Sequence, residues 1–192
     1  MQRAPATLIL MILMLAASLA RADDYADTVK MFKNAGESAK FFDSAYGYAV
    51  FPTIGKAGLG VGGARGSGRV YEQGKHVGDT TMTQISVGLQ AGGQAYSQII
   101  FFENKQAFDE FASGNFEFGA GVSAVAIRTG VSGSAGTTGS SAGASAGKGD
   151  AAGTTGKYYK GMVAFTVAKG GLMYEASLAG QKYSYKAVAP GK

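Results

Sequence analysis

The sequence predicts an α+β domain, mainly antiparallel β, folded as a sandwich or a partly closed barrel. An N-terminal amphipathic helix and one short internal helix complete it. Three observations carry this reading. Apolar residues recur at helical spacing from Tyr25 to Phe42, the pattern changes to period two from Tyr48 to Phe102, and period-two segments return after Tyr158.

In the first element, Tyr25, Val29, Phe32, Gly36 and Ala39 follow the i, i+3/i+4 rule, and Ala35 and Phe42 widen the stripe. Asp23, Asp24 and Asp27 stand at its start, where carboxylates suit the positive end of a helix dipole. The helical pattern breaks at Tyr46-Gly47. Strands are then expected in "LGVGGA", "RVYEQ", "TMTQISVGLQAG" and "QAYSQIIFF", with "EQGKHVG" as a hairpin tip. A short helix over Lys105 to Ser113 has Asn104 as its N-cap and Gly114 as its stop, with Phe108 and Phe111 facing the sheet. "FEFGAGVSAVAI" reads as one further strand, and "YYKGMVAFTVA", "GGLMYEASLAG" and "KYSY" as the last ones. Between them, Thr129 to Gly156 is almost only Gly, Ser, Ala and Thr. Such a segment buries too little apolar surface to offset its ordering entropy, so a flexible insertion is expected over 129–156.

The first 22 residues carry the anatomy of a secretory signal peptide: Arg3, an apolar run from Leu8 to Ala17, and Ala20-Arg21-Ala22 as a cleavage signal. Cleavage is expected after Ala22, with Ala20 as the alternative. The destination is then the periplasm, with a membrane-peripheral location. Residues 23–192 form one domain of ordinary size. The chain has no cysteine, so neither disulfides nor a lipid-modified cysteine are available, and the core alone must hold the fold. Removing Arg3 and Arg21 lowers the formal charge from +5 to +3, well short of a nucleic-acid binder.

"GKAGLGVGGARGSG" contains a literal G-x-G-x-x-G at Gly58, Gly60 and Gly63. A dinucleotide site requires a helix after the glycines, and here a second β pattern follows. The spacing is also unremarkable in a chain with 31 glycines among 192 residues. Alternate glycines instead strip one face of a strand and permit close packing, curvature or a bulge. Lys56, Arg65 and Arg69 stand among these glycines, which leaves anion binding without a nucleotide fold open. "GASAGKGD" fails as a Walker loop in both spacing and final residue.

The residue inventory argues against catalysis. His76 is the one histidine, placed at a hairpin tip, so Cys–His nucleophiles and multi-histidine metal sites are out of reach. No G-x-S-x-G elbow accompanies it. Neither enzyme activity, cofactor nor metal is expected. The first helix offers more. Lys30, Lys33 and Lys40 flank its apolar stripe as in an interfacial helix, with Glu37 diluting their charge. Three lysines near an anionic surface contribute about 3 kcal/mol. A millimolar dissociation constant needs about 4 kcal/mol. Docking therefore also needs apolar insertion, for which Met31, Phe41 and Phe42 are the candidates. The alternative is a stripe packed on the β core with solvated lysines.

"AYGYAVFPTIGKAGLGVGGARGSGRVYEQGKHVG" resembles the opening of the SYLF domain, through its "GYAVFP" segment, the "GK-x-G" and the "GGA-x-G-x-G-x-VY" hairpin. The resemblance continues through "ISVGLQAGGQAYSQIIFFENKQAFDEF" to "KGGLMYEASLAG". It implies a non-enzymatic lipid-binding module whose N-terminal helix contacts membranes. On that reading the partner is an anionic phospholipid membrane and not nucleic acid. Lys30, Met31, Lys33, Lys40, Phe41 and Phe42 would make the contact, joined by Lys56, Arg65 and Arg69 from the glycine-rich hairpin. The competing expectation is a structural or protein-interaction module of the bacterial envelope, pairing with a partner protein through Gly-rich sheet edges.

Overall fold

The computed structural model describes residues 24–119, 122, 124–127, 157–169 and 177–189. The signal peptide expected at 1–22 and the insertion expected at 129–156 lie outside them, as does most of the strand expected over 170–180.

The helical stripe forms as expected, but in three pieces: α1 (residues 24–34), α2 (Gly36–Ala39) and α3 (Phe41–Ser44). The break at Ala35 has extended backbone, and the Ser38 hydroxyl lies within donating distance of the Phe32 (2.6 Å) and Ala35 (3.0 Å) carbonyls, which also accept from backbone amides. A buried hydroxyl thus adds a donor at the break, nearest the Phe32 carbonyl.

The four strands expected between Gly47 and Phe102 are two. β1 (Gly47–Glu72) and β2 (Lys75–Phe102) pair antiparallel along their whole length around a turn at Gln73-Gly74. Both turn residues have positive φ, 47° and 79°, the conformation of a type I′ hairpin. Substituting Gly74 by alanine is expected to cost about 1 kcal/mol, because nothing crowds the added carbon but the left-handed backbone opposes it. Thermal denaturation would register this as a loss of roughly 2–4 °C.

Strands of 26 and 28 residues cannot stay straight in a domain of this size. The hairpin doubles back near 59–61 and 87–91, where its register shifts, and the two arms of β1 meet face to face. A Cβ on Gly58 would lie 2.3 Å from the Gly62 Cα, and one on Gly68 would lie 2.6 Å from the Phe51 ring. The glycines predicted to shape a sheet therefore allow this strand to fold onto itself.

β2 is the central strand. Its first half pairs with β6 (Lys182–Ala187) and its second half with β5 (Met162–Lys169). The strand expected over "FEFGAGVSAVAI" is broken into β3 (Phe116–Glu117), which extends β6, and β4 (Val125–Ile127), which runs parallel to β5. Between them the chain crosses from one partner to the other, buries Phe118, Val122 and Ala124, and bonds to Leu178, Gly180 and Gln181. Among the described residues the result is a curled, mainly antiparallel half-barrel of six strands.

Two apolar layers follow from the alternation. Ala49, Phe51, Ile100 and Phe102 point into the half-barrel, closed by Phe108 and Phe111 of α4 (Lys105–Ala112). Asn104 caps α4, its side-chain oxygen accepting from the Ala107 amide at 3.0 Å. Val50, Ile99, Phe101, Val163 and Phe165 point outward, under α1–α3. Inside the half-barrel the Gln98 amide donates to Tyr183 (2.8 Å) and Gln181 (3.1 Å), and Gln181 donates to Tyr96 (3.2 Å). Burial raises the Tyr183 phenol well above its ordinary range and keeps it neutral.

Candidate functional site

The nine residues predicted to contact lipid occupy three environments. The first is the solvent side of the helical layer. Tyr25, Val29 and Phe32 turn toward the sheet and leave Lys30, Lys33 and Lys40 exposed on the outside. The Lys33 ammonium lies 5.3 Å from the centre of the Phe42 ring, and the Lys40 ammonium lies 5.3 Å from that of Phe41. Each lysine thus stands over an aromatic face.

The second environment is the layer beneath. Phe41 is only 5% exposed, with its ring 5.3–5.5 Å from those of Phe101, Tyr158 and Phe165. Phe42 is half-buried, edge-on to Phe101 (4.9 Å) and Tyr48 (5.3 Å), and Met31 is half-buried in the same cluster. Tyr48, in turn, stacks on Tyr71. Its phenol is pushed up to about 12, chiefly by burial and secondarily by Tyr71. In this packing the side chains proposed for insertion join the helices to the sheet. Lys33 and Phe42 also line a cleft of about 410 Å³ between the helices and the hairpin turn at Gln73-Gly74.

The third environment is the hairpin. Arg69 lies with its guanidinium 4.3 Å from the centre of the Tyr25 ring and so clasps the start of α1 to β1. Lys56 and Arg65 instead come together along a cleft of about 620 Å³ in the doubled hairpin, among Gly55, Gly63, Thr83 and Gly93. The structure therefore unites Lys56 with Arg65, and gives Arg69 a contact within the fold.

Two residues escaped the sequence reading. Val61 is 65% exposed and Ile85 is 81% exposed, both at the bend of the hairpin. The only signal for them was the length of the apolar alternation in "GVGG" and "QISVG", which resembles any strand with one buried face. His76 sits beside the turn, 3.1 Å from Asp79, on the surface. Among the described residues no group of His, Asp and Glu could hold a metal ion, and no helix is long and apolar enough to cross a membrane.

Fold and surface together define a half-barrel module with a helical layer outside, exposed lysines on that layer, and a basic cleft with apolar side chains at the hairpin bend. The family model Ysc84, described as a Las17-binding protein actin regulator, matches residues 83–188. The chain belongs to this family, the SYLF family that its motifs resemble. It is also 33% identical over 164 residues to the Beta cell expansion factor A of Aeromonas veronii, a match covering 82% of this chain and 53% of that protein. The chain thus spans about half the length of this curated relative.

Proposed function

We propose that this chain is a non-enzymatic, secreted module of the periplasm that docks peripherally on membranes containing anionic phospholipid. The observation that carries the reading is the fixed orientation of the helical layer. Its apolar stripe is held against the sheet, so Lys30, Lys33 and Lys40 are left exposed to solvent, interspersed with Asp24, Asp27 and Asp43. Arg65 and Lys56 add a second basic locus. Because the backbone that carries these charges is already packed on the sheet, meeting headgroups requires no rearrangement of the fold.

Co-sedimentation with vesicles tests it. Binding is expected to vesicles containing phosphatidylglycerol, to be absent with phosphatidylcholine alone, and to weaken as salt rises. Replacing Lys30, Lys33 and Lys40 together by glutamine is expected to lower partitioning by about 100-fold, from about 1 kcal/mol per lysine. Unaltered partitioning would remove the helix lysines from the site. Failure of the wild-type protein to bind anionic vesicles at low salt would sink the reading.

One observation favours a second function, recognition of a protein partner. Among the described residues β1 pairs only with β2, which leaves its other edge as a long template for a further strand. That reading predicts stable complexes with a partner protein or stable oligomers, and no response to lipid charge.

A further inference from the structure

We infer that the bend of the β1–β2 hairpin, carrying Val61 and Ile85 beside Arg65, inserts into an anionic phospholipid bilayer and supplies the apolar part of docking. The inference rests on the membrane-docking reading above and names the element that the helices do not provide. Three lysines alone fall short of useful affinity, and Phe41 is committed to the core. Apolar contact must then come from elsewhere on the surface.

Four large hydrophobic residues are exposed among the described ones: Val61, Ile85, Tyr159 and Val188. Only the first two are neighbours. Ile85 pairs with Gly63, two positions along β1 from Val61, so both side chains project from one face as a diagonal cross-strand pair. Among the described residues, the register of β6 with β2 ends at Thr83 and that of β5 begins at Ala95, so neither strand pairs with β2 at Ile85. Close approach of Gly58 to Gly62 fixes the curvature of the bend.

Charge decides the partner. Arg65 is exposed, shares the alternation of Val61 and Gly63, and lies two positions past Gly63, about 7 Å along the strand from the level of Ile85. That separation suits an apolar pair below the headgroups and a guanidinium at their level. Among the described residues the cleft beside it is lined by Arg65 and Lys56 and by no carboxylate. A guanidinium pairs well with phosphate oxygens. A second copy of the chain fits poorly, because an isologous contact over this face would set each basic cleft against its copy. An anionic bilayer satisfies both the apolar pair and the arginine.

The chain contains no tryptophan, so Ile85→Trp creates a single reporter. On phosphatidylglycerol vesicles its emission is expected to shift to the blue and to be quenched by lipids brominated on their acyl chains. Val188→Trp, beside the opposite end of the hairpin, is expected to stay unshifted. Val61→Ser with Ile85→Ser leaves net charge and circular dichroism unchanged and is expected to lower vesicle partitioning at least about tenfold. Co-sedimentation without a shift at position 85, or without loss in the double serine variant, would overturn the insertion while leaving membrane docking standing. A blue shift that grows with protein concentration in the absence of vesicles would assign the bend to self-association. Absence of wild-type binding would bring down both readings together.

Discussion

Replacing Gly66 by valine is expected to destabilise the protein by about 3 kcal/mol, at the upper end of the cost of overpacking. Thermal unfolding would register this as a fall of roughly 6–12 °C for a chain of this size. Even the first carbon of the new side chain would lie 2.9 Å from the Thr53 carbonyl oxygen and 3.1 Å from the Ile54 Cα. Both are backbone atoms of the opposing arm of the same strand, so no rotamer change relieves the clash. The arms of β1 must separate, and the Phe51 ring then loses its seat over Gly68. The companion change Gly63→Ala is expected to be nearly silent, because its nearest neighbour is the Gln84 carbonyl oxygen at 3.4 Å. A phosphate-cradling loop would show the reverse, since the last glycine of its motif is the one that lets helix and strand pack closely. Equal sensitivity at 63 and 66 would count against the folded-over hairpin.

That contrast marks what could be read from the chain. Local signals carried over to the structure: the Asn104 cap of α4, the turn at Gln73-Gly74, and the inward stripe of the first helix. Each is decided within a few residues, so pattern suffices. The continuity of β1 and β2 was not legible, because a glycine at a bend and a glycine at a turn look alike when only spacing is known. Whether Gly58 ends a strand or lets it fold over depends on Gly62 lying against it, a contact set by the curl of the whole hairpin. Val61 and Ile85 stayed hidden for the converse reason. Their alternation is that of buried strand residues, and spacing alone does not tell which face of a curled hairpin stays exposed. The apolar side of the helical stripe posed a third limit, since a sheet and a bilayer select the same side chains.

Phe41→Ala separates those two roles. The ring is 5% exposed and contacts three aromatic rings, so its truncation is expected to cost about 3–5 kcal/mol and to lower the melting temperature by roughly 6–20 °C. Lys40→Ala, one residue away and exposed, is expected to stay within about 0.5 kcal/mol. Vesicle binding of the Phe41 variant, measured where it remains folded, is expected to match the wild type, because the ring faces Phe101 and Phe165 while the lysines face solvent. The opposite pattern, unaltered stability with lost binding, would mean that α1–α3 leave the sheet and present their stripe to the membrane. Such release would strip cover from Val50, Ile99, Phe101, Val163 and Phe165. Re-exposing a core layer of that size costs about 1.5–3 kcal/mol per fully uncovered side chain, more than three lysines return at an anionic surface. The balance therefore favours helices that stay docked, which in the proposed docking leaves steering to the lysines and apolar insertion to the hairpin bend.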